Sequence, residues 1–335
     1  MPAKLTLFIV LLFFLIPGSV LATACFPTET TDGGYTVATF TITGTCTWTA
    51  PEDVMSVEYL IIAGGGSGGR AGGSGGGGGG GGVLYSPVYS VFPGAAYTVV
   101  VGLGGAARIT GNTQGENGGD SSFNAIAATG GGGGATNYAT GSNGGSGGGG
   151  GYNEPTGKNG GTGIAGQGQN GGKHSDGATY GAGGGGGNNT VGAAGQATGQ
   201  HIGGAGGNGF NSTISGTLHT YSSGGGGGSY NWGINLSAGG IESGGKGGNN
   251  TLAGAAGLDG YGGGGGGGGA TPTNSGKGGT GVVILRYVAT PEFPSGCTCA
   301  TAVNDLPLDP VMAPAALLVT TGLALRGRSK RGETQ

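Results

Sequence analysis

Three histidines, four cysteines and fifteen acidic side chains are what the chain offers for catalysis or metal binding, and their spacing assembles no site. His174, His201 and His219 stand singly, with no paired cysteines beside them, so no zinc-type ligand set forms. No Ser, His and acidic residue surround a nucleophile elbow, and no two carboxylates are set for acid–base work. Gly-x-Gly-x-x-Gly recurs, but in sequence this rich in glycine it arises by chance, and no copy opens the amphipathic helix that a dinucleotide cradle requires. Gly254–Asp259 echoes one calcium-binding nonapeptide, a motif that works through tandem copies. The reading is therefore no enzyme, no cofactor and no metal. A net charge of −3, with basic residues clustered only near the C-terminus, gives no footprint for nucleic acid.

What remains is recognition chemistry. Tyr138, Tyr152, Tyr180, Tyr221, Tyr230 and Trp232 occur singly in polar stretches. Tyr and Trp supply amphipathic contact area for sugars or protein, and the same rings also serve as packing; both roles stay open here. Trp232, in Ser229-Tyr230-Asn231-Trp232-Gly233, is the first candidate for contact, whereas Trp48 lies in strand-like sequence and reads as core. Asn188, Asn211, Asn235 and Asn249 each begin an Asn-x-Ser/Thr sequon that an exported chain presents for glycosylation. The cysteines are too few for a disulfide scaffold, and the plain reading is one structural bond between Cys25 and Cys46. Cys297 and Cys299 are too close for an easy mutual bridge.

The ends of the chain point outside the cell. Residues 1–24 carry Lys4, an apolar stretch Leu5–Ile16 and a small-residue exit Ala22-Thr23-Ala24, the three-part layout of a secretory signal. Cleavage after Ala24 leaves Cys25 first, in a near-match to a lipoprotein box, so lipidation of Cys25 is an alternative to its disulfide. Val311–Leu325 is apolar and is followed by Arg326, Arg328, Lys330 and Arg331. As a helix it covers about 22 Å, short of a ~30 Å hydrocarbon core, and reads as a processed anchor within the tail 311–335. Between them, 291–310 forms a linker holding Pro291-Glu292-Phe293-Pro294.

The elements that would position any recognition loops are of two kinds. Residues 25–63 alternate as strands through Tyr35–Thr43, Cys46–Pro51 and Ser56–Ala63. Strand sequence returns at 83–101 and again at 282–290, after a long glycine-rich stretch. That stretch, 64–281, contains most of the chain's 95 glycines, in uninterrupted runs at 75–82, 130–134, 147–151, 183–187, 224–228 and 262–269. A strand at each end implies that the glycine-rich segment returns to the sheet it left, which a flexible linker has no need to do.

Glycine brings no side chain to bury and loses the most backbone entropy on folding, so only backbone hydrogen bonds hold such runs in order. The available state is an extended helix of three residues per turn, rising ~3.1 Å per residue, whose N–H and C=O groups all point outward. Rods of this kind pack side by side only where no side chain intrudes. A run of eight spans roughly 25 Å, and the polar stretches between runs become loops at the two ends of the rods. The fold expected is mainly β and irregular, with a small antiparallel β base carrying a polyglycine-II sandwich.

Several motifs occur together in order: Phe40-Thr41-Ile42-Thr43-Gly44, Thr47-Trp48-Thr49-Ala50-Pro51, Val57–Gly66, Pro93-Gly94 with Tyr97–Gly102, Gly118–Phe123, and Gly278–Tyr287. In this the chain resembles the glycine-rich domain of phage tail adhesins and prokaryotic surface proteins over about 35–288. The resemblance implies stacked polyglycine-II helices whose connecting loops recognise a cell-surface glycan or protein, here from the inserts after Gly134. The signal sequence and basic tail favour cellular display over a virion role. Pro291–Pro294 with the apolar and basic tail resembles the PEF-type sorting tail of archaeal surface proteins, which implies membrane attachment and an archaeosortase-like processing enzyme as partner; the intervening linker is longer than in that pattern. Adhesion or envelope contact is the function expected, with a structural coat or ice-binding protein as the alternative.

Overall fold

The computed structural model describes residues 26–152, 158–175, 180–196, 201–230, 236–269 and 273–288. Among these there is no α-helix. Eleven strands are present: β1 (Thr28–Asp32), β2 (Tyr35–Phe40), β3 (Gly44–Thr49), β4 (Ser56–Ile62), β5 (Val83–Ser90), β6 (Ala96–Val101), β7 (Ser121–Phe123), β8 (Ile126–Ala128), β9 (Phe210–Ser212), β10 (His219–Tyr221) and β11 (Val282–Tyr287). They form a five-stranded sheet ordered β1-β2-β11-β4-β5, a four-stranded sheet ordered β3-β6-β7-β8, and the hairpin β9–β10.

The closing strand is where the sequence reading expects it. β11 lies between β2 and β4, antiparallel to both, with Leu285 opposite Ala38 on one side and Tyr59 on the other. Its run Val282–Leu285 is buried on both faces, so alternation gives way to a continuous apolar stretch. One face packs against the four-stranded sheet through Phe40, Tyr59, Val283, Leu285, Phe123 and Trp48. Trp48 is a core residue, ringed by Tyr97, Phe123 and Tyr287 at 5.7–6.0 Å. The other face carries Val37, Leu60, Ile62 and Ile284 against Ile214 and Tyr221 of the β9–β10 hairpin. Cys46 is buried in the first of these cores and is disulfide-bonded; as the only cysteine among the described residues, it takes its partner from outside them.

The glycine runs continue the sheet as rods. β4 passes directly into 63–69 and 75–82 passes directly into β5, and Ala63 N–H donates to Gly82 O at 3.0 Å where the strand pairing ends. In 75–82 every residue is buried and none belongs to a strand. Its hydrogen bonds repeat every third residue. Gly75, Gly78 and Gly81 donate to Gly268, Gly265 and Gly262; Gly76, Gly79 and Gly82 donate to Ala135, Gly132 and Thr129; Gly77 and Gly80 donate to Gly183 and Gly186. The carbonyls do the same toward three other rods, with Gly76 and Gly79 accepting from Gly69 and Gly66, Gly75 and Gly78 from Gly228 and Gly225, and Gly77 and Gly80 from Gly149 and Ser146. The 75–82 rod thus has six neighbours and no unpaired run of amides, the pattern that three residues per turn produces.

Backbone freedom is not what these positions require, since no glycine from 75 to 82 has a positive φ. They require the absence of Cβ. A Cβ built on Gly78 would lie 2.6 Å from the carbonyl carbon of Gly66 and 2.9 Å from that of Ser67, and one on Gly226 would lie 2.7 Å from the carbonyl oxygens of Ser237 and Ala238. Positive φ matters instead at the β1–β2 turn, where Gly33 and Gly34 sit at 55° and 90°.

Candidate contact surface at the tips of the rods

The central rod fixes two poles. Gly82 meets the β base, so the level of Gly75 is the far tip. Four of the six candidate aromatics lie there, because each stands next to the tip end of a glycine run: Tyr138 beyond 130–134, Tyr152 after 147–151, Tyr180 before 183–187 and Tyr230 beyond 224–228. Backbone bonds fix them. Tyr152 N–H donates to Ser74 O at 3.2 Å, the Ser74 hydroxyl donates to Tyr180 O, and Tyr138 N–H donates to Tyr152 O at 2.7 Å.

Side-by-side rods bring the rings into a row. Tyr152 stacks on Tyr180 with centroids 4.6 Å apart and planes at 22°, Tyr180 stacks on Tyr230 at 4.5 Å and 29°, and Tyr138 flanks Tyr152 at 6.1 Å. His174 meets Tyr152 edge-on at 5.5 Å and His201 meets Tyr180 edge-on at 5.3 Å. Offset stacking of this kind contributes about 0.5–1.5 kcal/mol per pair beyond burial. It also consumes ring faces. Tyr152 is buried, and the rings presented to solvent are Tyr138 at 64% and Tyr230 at 37% exposure. Tyr138 and His201 hold left-handed backbone, φ 59° and 49°, which is uncommon for side chains of their size.

The rest of the tip mixes apolar and cationic groups. Ile109 and Leu252 are exposed at the same pole. Arg70 sits beneath the 106–114 loop, exchanging backbone bonds with Thr113 and donating a guanidinium hydrogen to Gly111 O. Arg108 pairs with Glu116 at 2.8 Å and receives a backbone bond from Ser275. Lys173 is exposed beside His174.

Other candidates fall elsewhere. Tyr221 is at the base pole, 3% exposed and stacked on Tyr261 at 5.2 Å, and burial pushes its phenol above the ordinary range. It is a packing residue, and its place in β10 beside the sheet is the reason. Trp232, Asn235, Cys25 and Pro291–Pro294 lie outside the described residues. Of the other sequons, Asn249 is buried, its side-chain oxygen accepting from the backbone N–H groups of Thr251 and Leu252. Asn188 is half-buried and its amide donates to Gln167 O at 2.8 Å. Asn211 is exposed, in strand β9 rather than in a loop. No three or more His, Cys, Asp or Glu side chains converge on a metal-sized site among the described residues.

The part of the tip that the sequence reading passed over is the pair His174 and His201. As possible metal ligands they stand singly; the signal for His174 was position, in the same stretch between glycine runs as Tyr152 and Tyr180, whereas His201 shares its stretch with no tip tyrosine.

A β base prolonged by backbone-bonded glycine rods, with side chains gathered at the rod ends, defines a class of extended scaffold in which rods set spacing and loops set chemistry. The chain belongs to the glycine-rich domain family, matching it over residues 40–288. None of the curated proteins matches it.

Proposed function

We propose that this is a non-enzymatic surface protein, exported through its N-terminal signal, held at the envelope through its C-terminal segment, and making contact through the rod tips in the manner of an adhesin. The observation that carries this is polarity. β11 runs from Val282 at the rods to Tyr287 at the far side of the base, so the described chain ends at the pole opposite the tyrosine row. A tether following that end would leave the tip free for contact. The exposed rings of Tyr138 and Tyr230, with Ile109, Leu252 and Lys173, suit a glycan or a protein partner, since loops on a rigid scaffold are where recognition concentrates.

The test is attachment of the purified full chain to whole cells and to a glycan array, wild type against Tyr138→Ala and Tyr230→Ala. A ring that anchors the partner loses about 2 kcal/mol or more of attachment on truncation, at unchanged circular dichroism. Unchanged attachment in both variants removes the row from the contact surface, and lost structure in both reassigns the rings to packing.

A further inference from the structure

A cavity of about 290 Å³ opens at the base pole, between the β9–β10 hairpin and the face of the five-stranded sheet. Its floor is apolar, from Val282 and Ile284 of β11. Thr39, Thr41, Ser215 and Thr217 line its walls, with the Ser215 hydroxyl donating to Thr217 O at 3.2 Å, and one side is Tyr261, whose ring is backed by Tyr221 at 5.2 Å and met edge-on by His219 at 5.4 Å.

The charged groups at its rim are closed in pairs. Asp259 binds Lys277 at 2.6 Å, and the Glu242 carboxylate accepts from His219 Nδ1 at 2.8 Å and from Thr220 N–H at 2.7 Å. Burial pushes the Glu242 carboxyl up, but the hydrogen bonds from His219 and Thr220 outweigh it and leave it below the ordinary value. Glu242 itself holds a left-handed φ of 63°, a conformation costly outside glycine that commonly marks a functional constraint. With Nδ1 on the carboxylate, Nε2 pairs with the Thr217 hydroxyl at 3.0 Å, which holds that hydroxyl in place.

A hydroxyl, imidazole and carboxylate in relay also describe an activated nucleophile. That chemistry needs N–H donors for an oxyanion, and the glycine N–H of the lining, at Gly260, is already given to Thr280 at 2.9–3.1 Å. Binding is what the cavity supports. Its volume is near the lower limit of small-molecule sites, ~300 Å³. Hydroxyl-bearing walls, an aromatic side, an aliphatic floor and charges that cancel locally match a ligand with hydroxyls, an apolar face and no net charge.

We propose that this cavity binds a single neutral sugar unit, hydrogen-bonded by Thr39, Thr41, Ser215 and Thr217 and laid against Tyr261. The site is separate from the rod tips and does not depend on the contact role given to them.

The experiment is saturation-transfer NMR on the full chain with methyl β-glucopyranoside, methyl β-galactopyranoside and methyl α-mannopyranoside at up to about 10 mM, enough to detect a Kd near 1 mM. At least one glycoside should receive saturation. Thr217→Val, which removes the hydroxyl held by His219, should weaken binding about tenfold, and Thr41→Leu, which fills the cavity, should abolish it. Both positions are exposed, so the melting temperature should hold. Saturation of none of the three, or saturation that neither variant changes, overturns the proposal.

Discussion

Replacing Gly78 with alanine adds one methyl group and should unfold the rod lattice. The carbonyl carbon of Gly66 lies 2.6 Å from where the new Cβ must go, so the 63–69 and 75–82 rods must part by about 1 Å to reach ordinary van der Waals contact. Three hydrogen bonds join that pair, Ala63 to Gly82, Gly66 to Gly79 and Gly69 to Gly76, at 3.0, 2.9 and 2.8 Å, and a 1 Å separation takes all of them out of range. Each costs about 1 kcal/mol as a net loss, and about 1–3 kcal/mol where both groups stay buried and unpaired, so the three total on the order of 3–9 kcal/mol. That is most of the ~5–15 kcal/mol by which a domain is stable. Gly72 supplies the control. It lies in the 71–74 tip turn, it does not have positive φ, and the nearest atom to its Cβ is the Asn112 side-chain oxygen at 3.5 Å. Gly72→Ala should be neutral or stabilise by up to about 1 kcal/mol through the unfolded state. Urea denaturation followed by far-ultraviolet circular dichroism measures both. If Gly78→Ala unfolds within about 1 kcal/mol of wild type, the rods are not held by close backbone approach and the reasoning fails.

Three other outcomes follow from the base and the tip. Leu285→Ala, at a fully buried position of the closing strand, should cost about 2–5 kcal/mol by the same assay. Burial, with Glu29 nearby, raises the Tyr287 phenol to about 12 from 10.0. Its contribution is therefore fully present below pH 10.0 and is lost as pH rises through about 12, and Tyr287→Phe should flatten the alkaline fall in melting temperature. Tyr138→Ala should cost no more than about 1.5 kcal/mol of stability, because the ring is mostly exposed and its loss removes one ring contact, with Tyr152.

The strands that alternate or run apolar were legible in the sequence, since Tyr35–Phe40, Ser56–Ile62 and Val282–Tyr287 each carry a side-chain pattern that only a sheet buries consistently. The rods were legible for the opposite reason. Runs such as 75–82 have no side chains, so order there requires backbone pairing, and backbone pairing at that density has one extended solution. Which rods touch was not legible. The partners of Gly77 are Gly183 and Gly149, and nothing in identical glycines encodes that choice; loop lengths and the register of the bracketing strands make it. The same degeneracy hid the tip. Tyr180 and Tyr221 look alike in sequence, each a single aromatic beside a glycine run, but one precedes its run at the tip and the other precedes its run at the base. Strand β1 was missed because Thr28–Asp32 is polar and mostly exposed, an edge strand fixed by its Gly33–Gly34 turn rather than by burial.

The central claim is that the glycine runs are backbone-bonded rods, and amide hydrogen exchange of Gly75–Gly82 tests it most directly. All eight amides are buried and donate to neighbouring rods at 2.8–3.0 Å, so they should exchange as slowly as those of β11, through global unfolding. Exchange at the rate of an unprotected chain would contradict it.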